Sequence, residues 1–178
     1  MEEIKKQLNH LPDNRRKSYE YRLSKMSEAE SQQLEALVVR MVKEGATNPL
    51  SWAFSQWDEG IPQYERFMIL KNLYQYADDV AGSVDSANDF DPGFASAWQE
   101  ICKAVGEEKL RKFLTSYGRG LFQSMLDILD EGNPDHESDD SWQLMQYNRT
   151  TEATGRPISG LHEDFIDFDQ QLKLPETD

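Results

Sequence analysis

Cysteine is almost absent from this chain. Cys102 stands alone among 178 residues, which excludes an intrachain disulfide framework and fits a reducing cytoplasm. No apolar run approaches the roughly 18 residues a membrane-spanning helix needs. The opening Met1-Glu2-Glu3-Ile4-Lys5-Lys6 has no apolar core of the signal-peptide kind. Histidine occurs three times, as His10, His136 and His162, and none has metal-ligand spacing. His162-Glu163 lacks the second histidine of a zinc-protease helix. Gly118-Arg119-Gly120 follows a helical pattern rather than a strand, so it is no dinucleotide or phosphate loop. Asn148-Arg149-Thr150 spells a glycosylation sequon, which has no use in a cytoplasmic chain.

Basic residues are the most informative shortage. The first 45 residues are nearly balanced, with nine Lys/Arg against eight Asp/Glu. Residues 121–178 carry fourteen acids against three bases, and the whole chain has a formal charge of −14. Self-repulsion of such a one-signed surface works against compactness, so solubility, a basic partner or a bound cation must account for it. Direct nucleic-acid binding is unfavourable, because phosphates would be repelled. Nineteen aromatic residues argue against wholesale disorder, and the length suffices for one domain with a sizeable core.

The apolar spacing is helical nearly throughout. Residues 2–11 form a short helix ended by Pro12, and Asp13 caps a basic segment, Asn14-Arg15-Arg16-Lys17. Ser27 and Glu30 make a capping box ahead of Leu34, Leu37, Val38 and Met41. Asn48-Pro49 starts a helix that Gly60 closes. The clearest stripe runs from Pro62 to Val84 as one helix. Asp85 to Asp91 reads as a polar turn, Pro92 begins another helix, and Gly106 opens the next. Tyr117-Gly118-Arg119-Gly120 predicts a break or a kink, after which Leu121, Phe122, Met125, Leu126 and Leu129 line a further helix ended at Gly132. Trp142 to Tyr147 is short enough to be either a strand or a docked helix. The expected fold is a single all-α domain over 1–178. It is an irregular bundle of about six to eight helices, with 132–160 an irregular acidic segment and 161–173 a C-terminal helix.

Asp78, Asp85 and Asp89 are the candidate metal ligands, since paired aspartates on facing helices hold Mg²⁺ or Mn²⁺ in diphosphate-handling all-α enzymes. Their spacing argues against it. Seven residues separate Asp78 from Asp85, about 10 Å along a helix, and no second carboxylate-bearing helix motif completes the site. A calcium loop started at Asp89 would place Asp91 third and Glu100 twelfth, but Phe94 falls where the sharp turn requires glycine. Cys102 lies between Ile101 and Lys103 on a helix, the setting of a small core residue rather than a nucleophile. Arg149 and Arg156 stand nearly alone in the acidic third, placed to tie it down by pairing with carboxylates or, less simply, to grip an anion.

The acidic groups themselves are the candidate partner-binding residues: Asp130, Glu131, Asp135, Glu137, Asp139, Asp140, Glu163, Asp164 and Asp167. Aromatic residues interleave with them, a composition suited to fast, tight capture of a basic partner. The expected function is therefore that of a non-enzymatic, cofactor-free cytoplasmic protein that neutralises a basic protein, as an immunity or antitoxin-type inhibitor does. The alternatives are a metal-dependent hydrolase on the Asp78–Asp91 region and a DNA-mimic inhibitor. Arg15-Arg16-Lys17 against an acidic face offers a route to homo-oligomers.

Overall fold

A computed structural model describes residues 1–132, 142–147 and 153–172. Among them the chain is all-α apart from one small sheet. Nine α-helices precede or follow a two-stranded hairpin: α1 (Glu2–Asn9), α2 (Asp13–Leu23), α3 (Glu28–Lys43), α4 (Pro49–Glu59), α5 (Gln63–Asp78), α6 (Val80–Phe90), α7 (Phe94–Val105), α8 (Glu107–Glu131) and α9 (Leu161–Phe165). The strands β1 (Leu144–Tyr147) and β2 (Ala153–Ile158) lie between α8 and α9, and a 3₁₀ turn, Phe168–Gln171, follows. Residue contacts divide the chain into two compact units. One comprises Met1–Met68, Leu144–Ser159 and Asp169–Asp178, and the other Ile69–Gln143 and Gly160–Phe168.

The first unit is organised by α3. Ser27 Oγ accepts from Glu30 N and Glu30 Oε2 accepts from Ser27 N, so the capping box is formed. The helix buries Leu34, Leu37, Val38 and Met41, the stripe its spacing predicts. Both oxygens of Glu35 reach α1: Oε1 accepts from Glu3 N at 2.8 Å and Oε2 from Ile4 N at 3.1 Å. A carboxylate on α3 thus satisfies the unpaired N–H groups that open α1. Pro49 sits at the start of α4 and Gly60, at φ 73°, ends it. Phe54, Trp52, Phe67, Ile4 and Leu50 are buried in the core, the Trp52 and Phe67 rings meeting edge to face with centroids 5.6 Å apart. β1 and β2 pair antiparallel, Leu144 opposite Ile158 and Met145 opposite Pro157. Ala153–Ile158 is therefore strand where the Thr, Gly and Pro content of the region predicts a loop; both strands of a two-stranded sheet are edges, which tolerate the missing proline N–H.

The second unit differs from expectation in three places. The single helix predicted over 62–84 is two, because Asp79 turns its carboxylate to Gly82 N at 2.9 Å and starts α6 as a new N-cap. The polar turn predicted over 85–91 is then helix as far as Phe90. Conversely, the break predicted at Gly118 is absent, and α8 is continuous for 25 residues. Gly118 serves packing instead: a Cβ there would stand 3.7 Å from the Cα and Cβ of Ala77, so α8 lies close against the end of α5. The predicted last helix splits, α9 ending at Phe165 before the 3₁₀ turn. This unit's core is small, centred on Leu70, Tyr74, Leu126, Leu161, Phe165 and Phe168. The Tyr74 hydroxyl donates to the Phe165 carbonyl at 2.6 Å, and its ring lies 4.8 Å from that of Phe165.

Candidate partner-binding surface

The charge and the exposed apolar surface fall in the same unit. Between them, Ile69–Gln143 and Gly160–Phe168 hold eighteen acidic and six basic residues, a formal −12, which leaves −2 for the rest of the chain. Half of those bases are already engaged: Arg119 pairs with Asp78 at 2.8 Å, Arg111 with Glu107 at 2.7 Å, and Lys71 also has a partner.

Helix α8 carries two apolar stripes. Leu114, Phe122, Leu126 and Leu129, with Gly118 between, turn inward and are buried or half-buried. Phe113, Tyr117, Leu121, Met125 and Ile128 recur at three- and four-residue spacing on the other side, and each is about half or more exposed. Helix α7 buries no residue fully. Phe94, Trp98 and Cys102 are half-buried, while Ile101 and Val105 stand in solvent. Helices cover an apolar stripe when they pack, and among the described residues this outer stripe is left about half exposed, with only the Trp142 indole donating to the Ile128 carbonyl at its end, at 3.0 Å. Contiguous exposed apolar surface of this kind marks an interaction site.

A groove of about 310 Å³ runs beside this stripe, lined by Ala77, Val80 and Val84 on one wall and Tyr117, Leu121 and Met125 on the other. It meets a shallower hollow at Tyr76 and Ser83, which Asp79 and Phe90 complete. Phe90 is 91% exposed, an unusual position for a phenylalanine.

The sequence-predicted acidic residues separate into distinct roles. Asp130 is inside, its side chain 2% exposed, and its Oδ2 lies 2.8 Å from both the backbone N and the Nδ1 of His162. The hydrogen bond to Asp130 raises the His162 pKa; partial burial opposes it, and the charges of Asp130, Asp127 and Glu163 add to it. Glu131, Glu163 and Asp167 are exposed and make no ion pair or hydrogen bond among the described residues. Asp164 is half-buried and has a partner. Asp135, Glu137, Asp139 and Asp140 lie outside the described residues.

Of the candidate metal ligands, Asp78 holds Arg119, while Asp85 and Asp89 are exposed along α6. Among the described residues no group of three or more His, Cys, Asp or Glu is placed to hold a metal ion. Cys102 is half-buried, a small residue of the α7 inner face. Arg156 is exposed and pairs with no carboxylate among the described residues.

Periodicity alone assigned Leu121 and Met125 to the core together with Phe122 and Leu126. The signal that separates them is the double stripe itself. A helix apolar on two sides needs two partners, and the described residues supply one. No described helix is long and apolar enough to cross a membrane. No family model, curated protein or solved structure matches the chain.

Proposed function

We propose that this chain is a binding protein whose acidic unit captures a basic protein partner, the way an immunity or antitoxin-type inhibitor neutralises its target. The observation that carries this reading is the coincidence of an uncovered apolar stripe on α8 with the unit that holds nearly all of the net charge. The occupant with the matching chemistry is a basic amphipathic helix on the partner. Its apolar face would lie in the groove between α6 and α8, the helix-in-groove mode of recognition. Its lysines and arginines would meet Asp85 and Asp89 on one side and Glu131 on the other. Those carboxylates are exposed and unpaired among the described residues. Folding does not account for Glu131, since an acid in the last turn of a helix opposes the helix dipole and α8 has no base there to balance it.

The test uses an 18-residue Leu/Lys amphipathic helical peptide and its Leu/Glu counterpart, titrated by fluorescence anisotropy. The Lys peptide should bind saturably, with an association rate that falls as salt rises, and the Glu peptide should not. Leu121→Glu with Met125→Glu should weaken binding at least about tenfold, about 1.4 kcal/mol. Equal binding of both peptides, or none by either, overturns the reading.

A further inference from the structure

The first unit holds a second concave site with the opposite electrostatic character. A cleft of about 410 Å³ opens between α3 and α4, and Arg156 of β2 joins its rim. Its floor is apolar and buried: Leu34 is 2% exposed, Leu37 8% and Ala53 fully covered. Its rim is exposed and carries Arg40, Trp57, Gln33 and Arg156. No carboxylate lines it, although acids outnumber bases 33 to 19 in the chain. The acids nearest in sequence to Trp57 are committed elsewhere: Asp58 pairs with Arg22, and Glu59 accepts from Ser55 Oγ at 2.8 Å.

The arginines are free to accept an anion. Arg40 lies with its guanidinium carbon 3.6 Å from the centre of the Tyr64 ring, a stacking contact that leaves its in-plane N–H groups available. Neither Arg40 nor Arg156 makes an ion pair with any described residue. Gln56 also lines the cleft, its Oε1 accepting from Tyr64 N at 3.3 Å, which leaves the amide N–H₂ as its remaining hydrogen-bonding group, a donor. Two guanidinium groups, two side-chain amides and an indole around an apolar floor make a rim rich in donors and free of carboxylates over a hydrophobic base. Its volume falls in the range of small-molecule sites, roughly 300–1,000 Å³.

We infer that the cleft between α3 and α4 binds a small organic anion, an aromatic or branched apolar body bearing one carboxylate or phosphate group. The apolar body lies on Leu34, Leu37 and Ala53 beside Trp57, and the anionic head takes charge-assisted hydrogen bonds from Arg40 and Arg156. This site lies wholly within the first unit and is independent of the binding proposed for the second.

Two-dimensional ¹H–¹⁵N spectra of the full chain, read at the Trp57 indole and arginine Nε signals, test it with three probes: phenylacetate, phenyl phosphate and uncharged phenylacetamide. At least one anion should shift the Trp57 signal saturably, with the amide at least about tenfold weaker. The tighter of the two anions identifies the head group. Arg40→Gln and Arg156→Gln, both at exposed positions, should each keep the wild-type spectrum away from the cleft and weaken binding about tenfold, as read by the same titration. Absence of any saturable shift with both anions overturns the proposal. So does binding of phenylacetamide as tight as that of the anions, or unchanged affinity in both arginine variants.

Discussion

The Asp130 carboxylate caps a helix that is not its own. From the end of α8 it takes the backbone N–H of His162 in the first turn of α9, and the same oxygen meets the His162 ring at 2.8 Å. A five-residue helix is too short to be stable alone, so this contact fixes where the chain returns against α8.

The contact makes stability pH-dependent. The folded His162 pKa is raised by its hydrogen bond to Asp130 against partial burial. Its ordinary value is about 6.5. Below that value the histidine is protonated in both states and the stabilisation is fully present. As pH rises above about 6.5 the unfolded chain loses its proton first, and the stabilisation is lost through the folded pKa. Urea unfolding should therefore show wild type losing stability relative to His162→Gln as pH goes from 6 to 8. Parallel curves for the two proteins would show that the pair contributes nothing. Asp130→Asn should lower stability by about 1–3 kcal/mol at pH 6.

Glu35 gives the opposite slope. Burial pushes its carboxyl up, but hydrogen bonds from the Met1 amine and from the Glu3 and Ile4 N–H groups outweigh that, and the net shift is downward. A lowered carboxyl contributes stability above its unfolded pKa of about 4.3, lost as pH falls through the folded value. Glu35→Gln should remove that acid-side slope and cost about 1 kcal/mol at pH 7, read from denaturant midpoints.

Gly118 separates a packing role from a conformational one. Gly118→Ala places a Cβ at ordinary contact distance from Ala77 and should be neutral or stabilising by up to about 1 kcal/mol, since alanine favours helix. Gly118→Leu overfills the contact and should cost about 1–3 kcal/mol. Equal stability of the two variants in urea would mean that α8 does not press on Ala77.

Core and surface aromatics should separate sharply. Phe165→Ala, at 2% exposure, should cost roughly 3–5 kcal/mol. Trp98 and Phe122 are only half-buried, so their alanine variants should cost less than that. The Leu121→Glu and Met125→Glu variants should each stay within about 0.5 kcal/mol of wild type, because about half of each residue is already exposed. A loss of several kcal/mol by the double variant would show that the outer stripe is core after all.

Much of the helical framework was legible in the residues because its signals are local. Ser27 and Glu30 are three residues apart and cap the same helix, and Asn48-Pro49 and Gly60 bracket α4 through backbone preferences that need no distant partner. Less legible were features that depend on a neighbour. Gly118 reads as a breaker until Ala77 is beside it. Residues 153–158 read as loop because their β character comes from pairing with 144–147 rather than from their own composition. Asp79 sits within a continuous apolar stripe, and only the turn of its carboxylate to Gly82 divides that stripe into two helices.

The candidate site divides in the same way. Its charge is a property of composition, and the sequence alone determined that the chain is acidic, helical and without a disulfide or a membrane-length helix pattern. Which acids are available is a property of burial. Asp130 and Glu131 are adjacent in the chain, yet the first is sealed against His162 and the second stands in water. The face of α8 left uncovered was likewise decided by tertiary packing. Hydrophobic periodicity records that a helix has apolar sides, whereas only the arrangement of the other helices determines which side they cover.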